Sequence, residues 1–291
     1  MKFYILDVFA RHRFEGNQLA VFMAPEGLSG DEMQSIAREI NFSESAFILR
    51  IDESSNEASV RIFTPRTEVD FAGHPVIGAA HVLRTFMGAD RGGVTLNLRV
   101  GAVDVTYSAD VSAPFWVQTV EPEFGQTVPS ADMAAILQIE ERDIVQSLPV
   151  EAVSTGLPHF IVPLTGKRAL AACAVNQPAY RKLVKRTSVT NLLVYTAEPH
   201  ENGQAYSVRM FAEAIGIPED PATGSGNTCL AAYLMRNVKP DEDRLEFRTG
   251  QGYEMGRPSE LHLIAQRNGT GCSIQLGGNV VEIAAGEWGR S

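Results

Sequence analysis

The sequence predicts an α+β fold of two pseudo-symmetric domains, each wrapping sheet around one central apolar helix. Three observations carry that expectation. RIFTPRTEVDFAGHPVIGAAHVL (61–83) and RMFAEAIGIPEDPATGSGNTCLAAYL (209–234) read as copies of one unit: a strand, an acidic residue, a Gly-bearing turn and an apolar helix. With Gly73 laid on Gly224, His74 meets Ser225, Ala80 meets Ala231 and Leu83 meets Leu234 without a gap. Such a repeat is too long for a solenoid unit and points to duplicated domains. Strand runs also outnumber helical ones without a βαβ alternation, and neither GxGxxG nor GxxxxGKS/T occurs to mark a nucleotide fold. The expected halves are 1–113, completed by the C-terminal strand at about 279–291, and 114–278.

KFYILDVFA and LAVFMAP are strands around a GNQ turn, and SGDEMQSIAREI is a helix. Its start carries a capping box, Ser29 with Glu32, and Met33, Ile36, Ala37 and Ile40 recur at helical spacing. SAFILRI and ASVRIFT are β-rich runs around DESSNE. Pro75 suits a first helical turn, and VIGAAHVLRTFM after it is apolar on nearly every face, which predicts burial all round. VTLNLRV and VDVTYS form a hairpin; SADVSAP is the expected crossing, and QTVEPEFGQTVPS continues as loop. The second half reads as helices at ADMAAIL, PAYRKLVKR and GNTCLAAYLM, with strands VEAVS, HFIVPL, NLLVYT, SVRMF, LEFRT and ELHLIA. SIQLGGNVVEI, two alternating runs around Gly-Gly, reads as the clearest hairpin.

At 291 residues with 44% hydrophobic and 21% charged content, the chain has an ordinary globular composition. A net charge of −10 with no Lys/Arg cluster argues against nucleic acid or an anionic membrane as partner. The cysteines, Cys173, Cys229 and Cys272, lack CxxC spacing and indicate neither a disulfide framework nor a zinc site. Without a recognisable signal peptide or membrane span, the expected location is cytoplasmic.

A helix start has unpaired N–H groups and a partial positive charge, so it takes anions where glycine lets a ligand approach. GHPVIGA and GSGNTCL both have that form and suit a small carboxylate; the alternative is that His74 and Ser225 merely cap their helices. His74, between Gly73 and Pro75, is not expected deep in the core and could exchange protons. His81 reads as a satisfied core histidine, and His159 as a loop-to-strand residue that could reach a ligand. Asp220, before Pro221, is either a site carboxylate or a turn-forming residue. Glu44 lies between a helix end and a strand, where an exposed glutamate would be commonplace.

GNQLAVF, NFSESAF, VDFAGHPVIGAAHVL, EDPATGSGN and the late glycine-rich run, in this order, resemble the phenazine-biosynthesis PhzF isomerase/epimerase family from Lys2 to the end. The resemblance implies a diaminopimelate-epimerase-like fold: two domains, each a curled, mostly antiparallel, barrel-like sheet around a central helix, with the site in the cleft between them. It implies that Glu44 is the general acid/base moving a proton between carbons of a small unsaturated amino-acid-like substrate. His74 and Asp220 join it as catalytic residues, and Gly73, Gly224, Ser225 and Gly226 bind the substrate carboxylate. No metal or organic cofactor is implied, and a homodimer is. Diaminopimelate epimerase and proline racemases place paired cysteines at the helix starts, whereas Ala72 and Thr223 stand there here, so a two-thiol route is disfavoured. The family often has Thr at Ser45 and Ala at Gly226.

Overall fold

A computed structural model describes residues 1–23, 27–269 and 271–289. It divides into two compact units, Met1–Gln118 with Gly277–Ser291, and Thr119–Leu276.

The first unit is built from β1 (Lys2–Val8), β2 (Asn17–Met23), α1 (Gly30–Ile40), β3 (Glu44–Asp52), β4 (Glu57–Phe63), β5 (Glu68–Val69), α2 (Gly73–Met87), β6 (Gly93–Leu98), β7 (Gly101–Thr106) and β8 (Phe115–Gln118). The second has β9 (Glu123–Val128), α3 (Ser130–Leu137), β10 (Val150–Ser154), β11 (Pro158–Pro163), α4 (Lys167–Ala172), α5 (Gln177–Thr187), β12 (Asn191–Thr196), β13 (Tyr206–Ala212), β14 (Ile217–Asp220), α6 (Gly224–Tyr233), β15 (Arg244–Gln251), β16 (Ser259–Asn268) and β17 (Gly271–Gly278), whose last two residues re-enter the first unit. The final strand, β18 (Val280–Glu287), belongs to the first unit.

The repeat extends through the strand pairing. In the first unit β1 pairs antiparallel with β18 and β2, β2 parallel with β3, β3 antiparallel with β4, β4 parallel with β6 and β6 antiparallel with β7. In the second, β10 pairs antiparallel with β9 and β11, β11 parallel with β12, β12 antiparallel with β13, β13 parallel with β15 and β15 antiparallel with β16. Order and sense coincide. Each parallel pair needs a crossover, supplied by α1 and α2 in one unit and by α4–α5 and α6 in the other.

α2 and α6 are the central helices. In α6 every residue except Ser225 is buried, and α2 buries all but His81, Thr85 and Phe86. Gly78 shows how closely α2 is packed: a Cβ there would stand 2.2 Å from Leu19 Cδ2, so any larger residue would require the buried Leu19 side chain to move. α1 covers the other face of its sheet. Its capping box is formed, Ser29 accepting from Glu32 N at 3.2 Å while Glu32 Oε2 accepts from Ser29 N at 2.8 Å. Beneath α1, Met33 and Ala37 join Phe22 stacked on Phe47 at 5.0 Å and Phe63 edge-on to Phe47. Phe42, partly buried, packs at the margin of that cluster.

One equivalent ion pair fixes each short strand that leads into a central helix. Arg61 forks onto Glu68 at 2.7 and 2.8 Å, and Arg209 onto Glu219 at 2.8 and 2.9 Å. Arg209 Nη1 also donates to the carbonyls of Leu170 and Cys173, tying the end of α4 to β13.

Two sequence expectations fail. EFGQTV is strand β9, paired with β10, rather than loop. The run around Gly277–Gly278 is not a simple hairpin: β18 pairs antiparallel with β1, from Val8–Val280 to Lys2–Glu287 with one bulge between Ile5 and Leu6, and Gly277 marks the return to the first unit. Alternation specifies a strand with one buried face but not its partner. Ala24 and Pro25, read as the end of the LAVFMAP strand, lie outside the described residues, as do 290–291 of the C-terminal strand. No described helix is long and apolar enough to cross a membrane.

Candidate active site

Parallel pairing sets Leu19 of β2 opposite Glu44, the first residue of β3. α2 starts beside it, and His74 Nε2 lies 3.5 Å from Glu44 Oε2. The two residues are thus brought together, but not as the sequence implied. His74 is buried, 6% exposed, and burial pushes its imidazole down to about 3, so the ring is uncharged near neutrality and the contact is not an ion pair. The ring also bonds to the backbone of Gln18 in a way that favours its protonated form, so the ring donates there. Nε2 is left as a lone pair facing the carboxyl group, with no hydrogen bond of its own among the described residues. Glu44 keeps a side-chain exposure of 15%.

The capping alternative does not hold. The N-cap positions are Ala72 and Thr223, and neither makes a side-chain capping bond. Pro75 has no N–H, so the first turn of α2 offers the amides of Gly73 and His74 before Val76 N bonds Ala72 O at 3.3 Å. In α6 the corresponding amides are those of Gly224, Ser225 and Gly226, ahead of Asn227 N on Thr223 O at 3.1 Å. Gly226 has a steric reason: a Cβ would sit 2.6 Å from Leu193 Cδ1, so an alanine there would require Leu193 to move.

Asp220, the last residue of β14, is buried at 7% exposure and accepts from the Thr223 hydroxyl. Behind it is a polar network that the sequence did not reveal. Gln251 Nε2 donates to Asp220 O at 2.8 Å and to Thr223 Oγ1 at 3.0 Å. Its Oε1 accepts from Thr223 N at 3.1 Å and Asn227 Nδ2 at 2.8 Å, and Asn227 Oδ1 accepts from Thr249 at 2.7 Å. These complementary bonds fix the start of α6 to β14 and β15. In sequence the same residues are scattered Thr, Asn and Gln with no periodic signal.

His159 stands at the start of strand β11, as the loop-to-strand reading has it, and is fully buried, with burial pushing its ring down to about 4. His81 packs edge-on against Phe115 but is only partly buried, and its Nδ1 is buried without a hydrogen-bond partner among the described residues, so it is not a satisfied core histidine. Cys229 is buried in α6, where burial pushes the thiol up to about 12; it is no thiolate. Among the described residues no three His, Cys, Asp or Glu side chains cluster as a metal site needs.

Register makes the halves comparable position by position. Arg61 is opposite Phe47 and Arg209 opposite Val194, so Phe47 corresponds to Val194 and, three residues earlier on each strand, Glu44 to Asn191. Ile62 faces Val69 and Met210 faces Asp220, so Asp220 corresponds to Val69. The halves share a frame and differ in chemistry: Glu44 and His74 in one, Asp220 and Ser225 in the other.

A family model described as phenazine biosynthesis-like protein, PhzC-PhzF, matches residues 6–286. An uncharacterized isomerase of Mesorhizobium japonicum is 32% identical, over 98% of this chain and 97% of its own. The trans-2,3-dihydro-3-hydroxyanthranilate isomerase of Pseudomonas aeruginosa is also 32% identical, over 98% of each chain. The crystal structure of a Bacillus anthracis PhzF-family protein superposes with a TM-score of 0.90 at 22% identity, covering 98% of this chain and 97% of that one. The chain therefore belongs to the phenazine biosynthesis-like PhzC-PhzF family and is an isomerase or epimerase of small molecules.

Proposed function

We propose that Glu44 alone moves a proton between two carbons of a small unsaturated amino-acid-like or carboxylate substrate, without a cofactor, in a cleft between the two halves. The amides at Gly73 and His74 and at Gly224, Ser225 and Gly226 hold the substrate carboxylate, as helix starts do. Asp220 and His74 orient its amine or hydroxyl. The Glu44 carboxylate takes a proton from one carbon, the electron pair shifts through the conjugated system, and the resulting carboxylic acid returns the proton to another carbon. The lone pair of His74 Nε2, 3.5 Å away, accepts from that acid while it holds the proton. The expected setting is a cytoplasmic homodimer.

The observation that carries a one-base reading is the asymmetry of the frame: where one half has Glu44, the other has Asn191, an amide that cannot serve as a second base. Racemisation, which needs a base on each face of the carbon, is the second reading, with His74 or Asp220 as the other base; the low basicity of buried His74 counts against the first of these. A third reading is a protein that binds small acids without turning them over. Glu44→Gln separates them. General acid/base catalysis contributes ~10²- to 10⁴-fold, so the variant is expected to bind substrate and lose turnover by that factor. Full turnover in the variant removes Glu44 as the base, and saturable binding by the wild type without turnover or exchange supports the third reading.

A further inference from the structure

Near the far end of α2 a guanidinium is buried without a counter-charge. Arg84 is 9% exposed, yet its Nη1 is buried with no hydrogen-bond partner among the described residues. The group lies over the rings of Phe115, at 5.0 Å, and Tyr107, at 6.0 Å, and α2 is open to solvent only along His81, Thr85 and Phe86 around it. Asp110, in the segment between β7 and β8, does not neutralise it. That carboxyl is held low chiefly by Ser112 N and Oγ, at 2.9 and 2.8 Å, and only last by the Arg84 charge. His81, one turn back, packs against the same Phe115 ring at 5.8 Å, and its buried Nδ1 has no hydrogen-bond partner among the described residues either. Burial first, and then the Arg84 charge, pushes that imidazole down to about 4, so it is uncharged near neutrality and has one N–H to give. A guanidinium keeps its charge in proteins, so its burial is not relieved by neutralisation as that of a carboxyl or an amine is. The two ring faces and the position in the last turn of α2 offset part of the cost, but neither supplies the acceptor that Nη1 lacks.

We propose that Arg84 and His81 form a binding site for a small oxyanion, a free phosphate or carboxylate, at the end of α2 away from Glu44. The anion supplies the missing counter-charge, and its oxygens accept from Arg84 Nη1 and from the His81 ring in its Nδ1–H form. The planar fork of a guanidinium fits two oxygens of a phosphate or of a carboxylate alike. Arg84 follows His74 by ten residues, so at the rise of an α-helix the site is roughly 15 Å along α2 from the amides at Gly73 and His74. It is therefore a second site, and it stands or falls independently of the function proposed above. Water or chloride would meet the same donors without matching the fork, and the test separates them from an oxyanion.

The test is histidine-ring NMR of the full chain, titrated with sodium phosphate or sodium acetate against sodium chloride at equal ionic strength, with the His81 resonance assigned through His81→Gln. Phosphate or acetate is expected to shift the His81 ring saturably, with a Kd in roughly the millimolar range or tighter, where chloride does not. The anion that binds more tightly identifies the source. Arg84→Lys, which keeps the charge but not the fork, is expected to weaken binding about tenfold, and Arg84→Met to abolish it. Should Arg84→Met fail to fold, Arg84→Lys carries the comparison. At about ten times Kd the rise in wild-type Tm over the chloride control is expected to exceed that of Arg84→Met by roughly 3–6 °C. A shift of the His74 ring reports the helix starts and is read separately from His81. A His81 ring that answers to neither oxyanion, or equally to chloride, overturns the proposal, as does a response that survives both Arg84 substitutions unchanged.

Discussion

Gln251 ties the second helix start together, and replacing it by methionine isolates what that is worth. The side chain is fully buried and its amide takes part in four hydrogen bonds. Methionine fills a similar volume with no polar group able to replace them. Thr223 Oγ1 keeps its bond to Asp220, and Asn227 Nδ2 keeps Thr223 O at 3.0 Å. Thr223 N and Asp220 O lose these partners in a dry environment. A buried group left unpaired costs about 1–3 kcal/mol, so for the two the loss is expected at about 2–6 kcal/mol. For a unit of this size each kcal/mol lowers Tm by roughly 2–4 °C, giving a fall of roughly 4–24 °C. Because Gln251 holds the start of α6 rather than a proton, the kinetic signature is a raised KM with a smaller change in kcat. Melting and steady-state kinetics on the same preparation are the assay. A variant that melts within 1 °C of the wild type, on the order of a quarter of a kcal/mol, refutes the claim that this network fixes the helix start.

The remaining expectations concern charge and sulfur. Burial holds His159 at about 4 and His74 at about 3 in the fold, both from 6.5. Between those values and 6.5 the unfolded chain binds protons that the folded one does not, so stability is fully present above 6.5 and falls with acid; His159→Phe is expected to reduce that slope, in urea titrations between pH 6.5 and 5, by about 1.4 kcal/mol per pH unit. Arg209→Met strands Glu219 beside a mostly buried pair, with side-chain exposures of 9% and 17%, and is expected to cost about 3–5 kcal/mol in urea unfolding. Arg61→Met, at a more exposed pair, is expected to cost about 1 kcal/mol; equal costs would contradict this weighting. Cys229→Ala is expected to keep turnover and wild-type stereochemical outcome, since the thiol is pushed up to about 12; loss of turnover in a folded variant would restore a thiol route.

Much of the frame was legible because it rests on local patterns. Ser29 and Glu32 bond each other three residues apart, and the matching Gly73 and Gly224 blocks are contiguous, so duplication shows without a structure. What the sequence hid depends on separations that differ between the halves. Arg61 meets Glu68 and Arg209 meets Glu219 across hairpins of unequal length, so the two ion pairs do not align by eye. The correspondence of Glu44 with Asn191 exists only through strand register. His74 follows a glycine and precedes a proline, which reads as a surface turn; its burial comes from β2, whose Gln18 backbone bonds the ring. Gln251 looks like a strand residue of either face until its bonds to Thr223 and Asn227 place it against the start of α6. The late glycine pair shows the same limit, since alternation around Gly277 and Gly278 suits a hairpin and a crossing equally.

The most direct measurement is hydrogen exchange at substrate carbon. Turnover of a substrate by the wild type in deuterium oxide is expected to place deuterium at the carbon that receives the proton, or to carry the original hydrogen across if the acid is shielded from solvent. In either case the configuration of the donor carbon in recovered substrate is retained, and Glu44→Gln abolishes the transfer. Deuterium entering with inversion at a single carbon, or transfer that persists in folded Glu44→Gln, would contradict a one-carboxylate proton shift.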